Sequence, residues 1–223
     1  MPQQINRKII FYIFLFVFLS TFNNKNLSNL VLSTINEIKI EGLEEEENLS
    51  LKKSLDTFKI QSLFFLHKKQ IIEIISSNNL VEDFYVFKKY PSTLMIELKK
   101  TKFLAKTNRN GINFLIGSNG QLIQSDEKIE NIPIIYGKFN IEEFLKLKKI
   151  IDNSNFNFNK IDSLYFFKSG RWDIKVESGI LIKLSKEKID ENLLSAFKIL
   201  NNENFKDIKF IDLRQKNQIV ING

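Results

Sequence analysis

From Ile9 to Phe22 the chain shows no alternation of apolar and polar positions. Every residue but Ser20 and Thr21 is apolar, and no charge, Gly or Pro interrupts the run. As a helix it would be about 21 Å long, against about 30 Å of bilayer hydrocarbon. It leaves no face for water, which favours an uncleaved membrane anchor. A cleaved signal segment and a buried helix are the other readings, and no A-x-A-like pair of small residues follows the run. Arg7 and Lys8 flank it on the N-terminal side, which places the N-terminus in the cytoplasm. The anchor and signal readings agree that the rest of the chain lies outside the cytoplasm.

Beyond the run the periods change. Ile38 and Ile40 share a face in a strand from Ile35 to Ile40, ended by Gly42. The acidic run Glu44–Glu47 suits the positive end of a helix dipole, and the helix it opens carries Leu51, Leu55 and Phe58 on one side. After a short apolar link, Leu63 to Leu66, His67 and Gln70 open a second helix with Ile71, Ile72 and Ile75 inward. Two strands follow, through Phe84–Lys88 and Thr93–Leu98, broken at Tyr90-Pro91-Ser92 because Pro91 cannot donate to a ladder. The order strand, helix, helix, strand, strand predicts two helices on one face of a three-stranded sheet.

The remainder is richer in strands. Asn110-Gly111 and Ser118-Asn119-Gly120 are turn signals between the short apolar strands Phe103–Thr107, Ile112–Ile116 and Leu122-Ile123. Pro133-Ile134-Ile135 leads to Gly137, then a helix from Glu142 to Ile151 turns Ile141, Phe144, Leu145 and Ile151 inward. Trp172, Ile174 and Val176 alternate with Asp173 and Lys175, Gly179 turns the chain, and Ile180, Ile182 and Leu184 alternate back as a hairpin. Ser185 is expected to cap a helix with Ile189, Leu193, Phe197 and Leu200 on one side. Strands Lys209–Leu213 and Gln218–Asn222 come last. The predicted class is α+β: an N-terminal membrane helix, a β-α-α-β-β domain, and a mixed, β-rich domain with flanking helices.

Composition narrows the chemistry. The chain has 223 residues, 43% hydrophobic and 26% charged, an ordinary globular balance. The net charge of +7 comes mostly from lysines scattered along the sequence, with no basic stripe interleaved with aromatics for nucleic acid. There is no Cys, which excludes disulfides and Cys–metal sites. With a single His, at position 67 beside a helix start, His-rich metal sites are excluded and capping is favoured over catalysis. No phosphate-loop, dinucleotide, metalloprotease or nucleophile-elbow motif occurs. Acidic pairs such as Glu82-Asp83 and Asp126-Glu127 read as solvated charge. No catalytic, cofactor or metal residue is expected, which leaves a binding module or a structural link.

Four stretches, in order, resemble one family. Ile38-Lys39-Ile40-Glu41-Gly42 is similar to an opening I-x-V-x-G. Tyr90-Pro91-Ser92-Thr93-Leu94 is similar to W-P-x-x-L, with Tyr for Trp. Trp172 to Leu184, with Gly179 at its turn, resembles W-x-l-x-l-x-n-G-x-x-v-x-L. Phe210-Ile211-Asp212-Leu213-Arg214 resembles v-D-L-R. The chain resembles the bacterial cell-division family FtsQ/DivIB, and residues 35–107 resemble its POTRA domain. Two departures are local: Lys100 and Phe103 stand where the family often has an acidic residue and Pro, and Gly117 stands where an Asp is usual.

The resemblance implies a division into a cytoplasmic tail (1–8), membrane anchor (9–24), spacer (25–34), POTRA domain (35–101) and β-rich domain (102–223). It implies a non-catalytic scaffold of the inner membrane at the division site, with its domains in the periplasm. The partners it implies are FtsB- and FtsL-like single-pass proteins and other divisome proteins, with no cofactor and no nucleic acid. Tyr90, Pro91, Leu94, Trp172, Gly179, Asp212, Leu213 and Arg214 are the expected structural-motif residues. A POTRA-containing periplasmic binding or secretion-assembly module is the alternative, although such chains usually continue into a barrel.

From the residues alone, a late strand is a candidate for a sheet edge whose free N–H and C=O groups accept a partner strand. A covered or internal strand is the competing reading. Gln215, Asn217, Gln218, Ile219, Val220, Ile221 and Asn222 are the expected contact residues, with Ile219 and Ile221 toward the core. Asp212 and Arg214 lie on one side of their strand and are expected to pair with each other or with neighbouring loops.

Overall fold

The structure is a computed structural model that describes residues 7–22, 34–127, 129–205, 207–216 and 218–222. The first helix, α1, spans Arg7–Phe22. Its apolar side chains from Ile9 to Leu19 are exposed all round. Among the described residues no helix is long and apolar enough to cross a membrane.

The chain folds as two units, residues 1–76 with 84–98, and residues 77–83 with 99–223. The first unit is built on β1 (Glu37–Glu41), α2 (Glu45–Leu55), α3 (Lys68–Ser76), β2 (Val81–Lys89) and β3 (Thr93–Lys100). Glu44 donates its backbone N–H to the Glu47 carboxylate at 3.0 Å, and Glu45, Glu46 and Glu47 fill the first turn, as the dipole favours. A 3-10 turn, Asp56–Ile60, extends α2 and buries Phe58. The sheet order is β1-β3-β2, with β1 parallel to β3 and Ile38 opposite Leu94. Ile38, Leu94, Ile96 and Leu98 of the sheet and Leu51, Leu55, Ile71 and Ile75 of the helices are all buried. Each such side chain contributes about 1.5–3 kcal/mol by leaving water. Ile35 is buried ahead of β1, so this strand starts two residues later than the alternation predicts. Gly42 has φ +113°, and a Cβ there would lie 1.8 Å from the Leu98 carbonyl oxygen, so only Gly fits the close of the I-K-I-E-G stretch.

The second unit carries a nine-stranded sheet. Its strands are β4 (Phe103–Arg109), β5 (Ile112–Gly117), β6 (Leu122–Gln124), β7 (Ile134–Tyr136), β8 (Ile161–Phe166), β9 (Trp172–Val176), β10 (Leu181–Lys183), β11 (Phe210–Asp212) and β12 (Val220–Asn222). They lie in the order β12-β11-β10-β9-β8-β7-β4-β5-β6. Asn110 and Gly111 both have positive φ, as the tight turn between β4 and β5 requires. Two helices, α4 (Ile141–Asp152) and α5 (Ile189–Leu200), are the crossovers between the parallel neighbours β7 and β8 and between β10 and β11. Their apolar sides, Phe144, Leu147 and Ile151 on α4 and Leu193, Ala196 and Ile199 on α5, join Ile135, Leu164, Ile174, Ile182 and Ile211 of the sheet in one core.

The sequence reading needs several corrections here, the first at Ile72, which is expected inward on α3 and is exposed. Strand β8 has no counterpart among the predicted elements. It alternates poorly because both faces are covered in its middle, where Ser163 and Leu164 are both buried. Ser185 does not cap α5: Lys188 does, in a left-handed conformation, while the Ser185 hydroxyl accepts from the Asn192 side chain at 2.7 Å. On α4 the sequence reading misses Leu147, which is buried, while Leu145 is half-buried and packs against the same core.

Candidate functional site

The strand order puts β12 at one end of the large sheet, with β11 beside it and no further strand among the described residues. Its antiparallel register sets Phe210 opposite Asn222, Ile211 opposite Ile221 and Asp212 opposite Val220. The Lys209 N–H donates to the Asn222 carbonyl at 2.8 Å. Ile221 packs against the core, while Val220 and Asn222 are exposed. Ile219, expected to face the core, is 47% exposed. The reason is that the ladder begins only at Val220, so the period of two does not reach back to it. Gln215 and Gln218 are exposed beside it. Asn217 lies outside the described residues.

Behind this edge the sheet carries a row of charge. Asp173 lies opposite Lys183, and Lys183 opposite Asp212, across β9, β10 and β11. Arg214 holds the Asp212 carboxylate with its guanidinium, Nε donating at 2.8 and 2.9 Å and Nη2 closing the fork. The Arg214 backbone N–H adds a bond to the same carboxylate at 3.1 Å. These bonds, the guanidinium's above all, hold the Asp212 carboxyl below the usual carboxylate range. Asp173 is buried, and that burial pushes its carboxyl up, with Arg171 Nε at 3.2 Å pulling the other way. The Lys183 ammonium sits 4.4 Å from the Phe210 ring centre. The sequence pattern shows Asp173 only as a polar position of a hairpin strand and does not single out Lys183. Their register with Asp212 depends on the β10–β11 crossover, which no local pattern encodes.

The other motif residues serve the two folds. Trp172 is buried against Phe166 and Phe139, ring centres 4.7 and 5.9 Å away. Gly179 turns the β9–β10 hairpin at φ +87°. Leu213 is buried beside β11, and Leu94 at the centre of the small sheet. The Tyr90–Pro91 bond is cis, and the Tyr90 ring is exposed, 6.1 Å from that of Phe64. Tyr90, Pro91 and Leu94 thus belong to one unit, and Trp172, Gly179, Asp212, Leu213 and Arg214 to the other. Among the described residues no group of three or more His, Cys, Asp or Glu is placed to hold a metal ion. The edge strand and the charge row offer backbone pairing and ionic contacts.

Known proteins match this chain in the same two parts. The model of the FtsQ-type POTRA domain matches residues 33–100. The model described as cell division protein FtsQ/DivIB, C-terminal, matches residues 105–214, a span that stops before β12. The cell division protein FtsQ of Rickettsia bellii is 28% identical over 202 residues, covering 84% of this chain and 71% of that one. The cell division protein DivIB of Clostridium botulinum is 26% identical over 234 residues, covering 93% and 86%. The major extracytoplasmic domain of DivIB from Geobacillus stearothermophilus aligns at 10% identity with a TM-score of 0.34, over 47% of this chain and 99% of that domain, too slight a likeness to carry weight. With an FtsQ-type POTRA match followed directly by an FtsQ/DivIB C-terminal match, this chain belongs to the FtsQ/DivIB family.

Proposed function

We propose that this chain is a non-catalytic scaffold of bacterial cell division, tethered in the inner membrane by α1. In this reading residues 9–24 are the anchor, the short tail 1–8 is cytoplasmic, and the POTRA domain (35–101) and β-rich domain (102–223) lie in the periplasm at the division site. The scaffold binds FtsB- and FtsL-like single-pass proteins, and so helps to assemble the septal cell-wall machinery. The contact is strand addition on β12, with Gln215, Asn217 and Gln218–Asn222 as its residues. The observation that carries the proposal is the place of β12 at the end of the sheet order, with Val220 and Asn222 exposed. The names of the relatives, cell division proteins FtsQ and DivIB, support the cellular role.

A tagged full-length copy tests the proposal. It should gather at constriction sites and bring down a single-pass coiled-coil membrane protein. An even spread around the cell envelope with no such partner would remove it.

A further inference from the structure

One end of the first unit carries an apolar and basic surface that the division role leaves unused. Three segments meet there. The chain enters it at Thr34–Asn36: Thr34 bridges to Ser62, the Ile35 N–H donates to the Gln61 carbonyl at 3.1 Å, and the Asn36 N–H donates to the Ser92 carbonyl at 2.9 Å. The second segment is the link 60–66 and the third is the turn after β2. Lys88 joins these two through its ammonium, which donates to the carbonyls of Leu66 at 3.0 Å and Phe64 at 3.3 Å. On this end Ile60 is 85% exposed, Phe65 64%, Phe64 62% and Tyr90 61%. The rings of Phe64 and Phe65 meet at 5.8 Å, so the aromatics form one patch with Tyr90. Large side chains so exposed and contiguous mark an interaction surface.

Lysines outnumber acids around the patch, where Asp56 pairs with Lys59 at 2.7 Å and Glu37 follows the entry segment. No Asp or Glu occurs from 57 to 72 or from 84 to 96, while Lys59, Lys68, Lys69, Lys88 and Lys89 fall within those stretches. Lysines that look scattered along the sequence are gathered here by the fold. The covalent chain also limits where this end can go. Eleven residues, 23–33, separate the last residue of α1 from Thr34. Even fully extended they reach at most about 40 Å.

We infer that this end of the POTRA unit docks on the surface of the bilayer, its aromatics at headgroup depth and its lysines against anionic phospholipid. The inference rests on the reading of α1 as an anchor, which makes the tether end of the unit the membrane-facing one.

The chain has no Cys, so Ile60→Cys takes a single environment-sensitive label in the full-length protein. The protein is reconstituted in phosphatidylethanolamine–phosphatidylglycerol vesicles doped with headgroup-nitroxide lipid. A label at Leu194→Cys, exposed on α5, serves as the reference. The Ile60 label should be strongly quenched and blue-shifted relative to the reference. Phe64→Ser with Phe65→Ser, both on the surface, should abolish the quenching. Lys69→Gln and Lys89→Gln should each lower the docking equilibrium constant roughly fivefold.

A label as unquenched as the reference, on protein that floats with the vesicles, overturns docking and leaves the anchor reading standing. Protein that does not float overturns the anchor reading and the docking together. Equal quenching on neutral phosphatidylcholine overturns the assignment to anionic lipid. A label in water on these vesicles but shielded in native membranes overturns lipid docking in favour of a protein partner.

Discussion

At the scale of single residues the most informative pair is Asp212 and Arg214. The fork between them is made in the folded chain, and it lowers the Asp212 carboxyl below its unfolded value of about 3.9. A lowered folded-state pKa stabilises the fold fully above the unfolded value, and the contribution is lost as pH falls through the folded value. Asp212→Asn should therefore lower the melting temperature at neutral pH, and the gap to wild type should close as the pH drops below about 3.9. Thermal melts across that range check it; a gap that stays constant down to the acid limit would mean the carboxylate charge contributes nothing. Asp173 works with the opposite sign, because burial raises it, so protonation favours the fold there. Comparing the variant with wild type at each pH isolates Asp212 from that opposing trend.

At the scale of elements, the test falls on β12. Proline at Val220 has no N–H and must either strip β12 from β11 or block a strand added from outside. With two or three backbone bonds lost at about 1 kcal/mol each, partner binding should weaken on the order of a hundredfold. Removing residues 217–223 should do the same, while Val220→Thr, which keeps the backbone, should bind as wild type does. A titration of purified full-length variants against the captured partner reads this out. Normal affinity for Val220→Pro would remove strand addition.

The elements that sequence patterning finds are those with a local signal. The Asn110-Gly111 turn, the Trp172 to Leu184 hairpin and the acidic start of α2 each occupy a few neighbouring residues whose chemistry has one structural solution. The strand β8 escapes because its middle is covered on both faces, so Ser163 is buried where a polar residue signals water. The cap of α5 escapes because a left-handed Lys188 carries none of the usual capping chemistry. At the candidate site, the Asp212–Arg214 pairing is legible from their spacing. The charge row through Asp173 and Lys183, and the exposure of Ile219, depend on which strands become neighbours and on where the ladder stops.

At the scale of the whole molecule, the length of α1 frames the remaining question. Its 16 residues make a rod about 24 Å long, shorter than the ~30 Å of an average hydrocarbon core. In the proposed anchor, local thinning and flanking side chains reaching the interface would accommodate the short span. The full chain should resist alkaline carbonate extraction from membranes, whereas a chain lacking residues 1–33 should be released entirely. N-terminal sequencing of the membrane-bound form should begin at the natural start, before the apolar run. A sequence starting after Phe22 would replace the tether with a cleaved leader.

The parallel pairing of β1 with β3 has a mechanical consequence. A pull on the N-terminal side reaches the first unit at the start of β1, while the chain leaves for the second unit at the finish of β3. Because these neighbours run the same way, tension along the polypeptide slides one past the other and is shared by all five registered positions at once. Antiparallel neighbours gripped in the same manner would instead open bond by bond, like a zip. Tension between the two ends of this unit thus meets the small sheet in its most resistant direction.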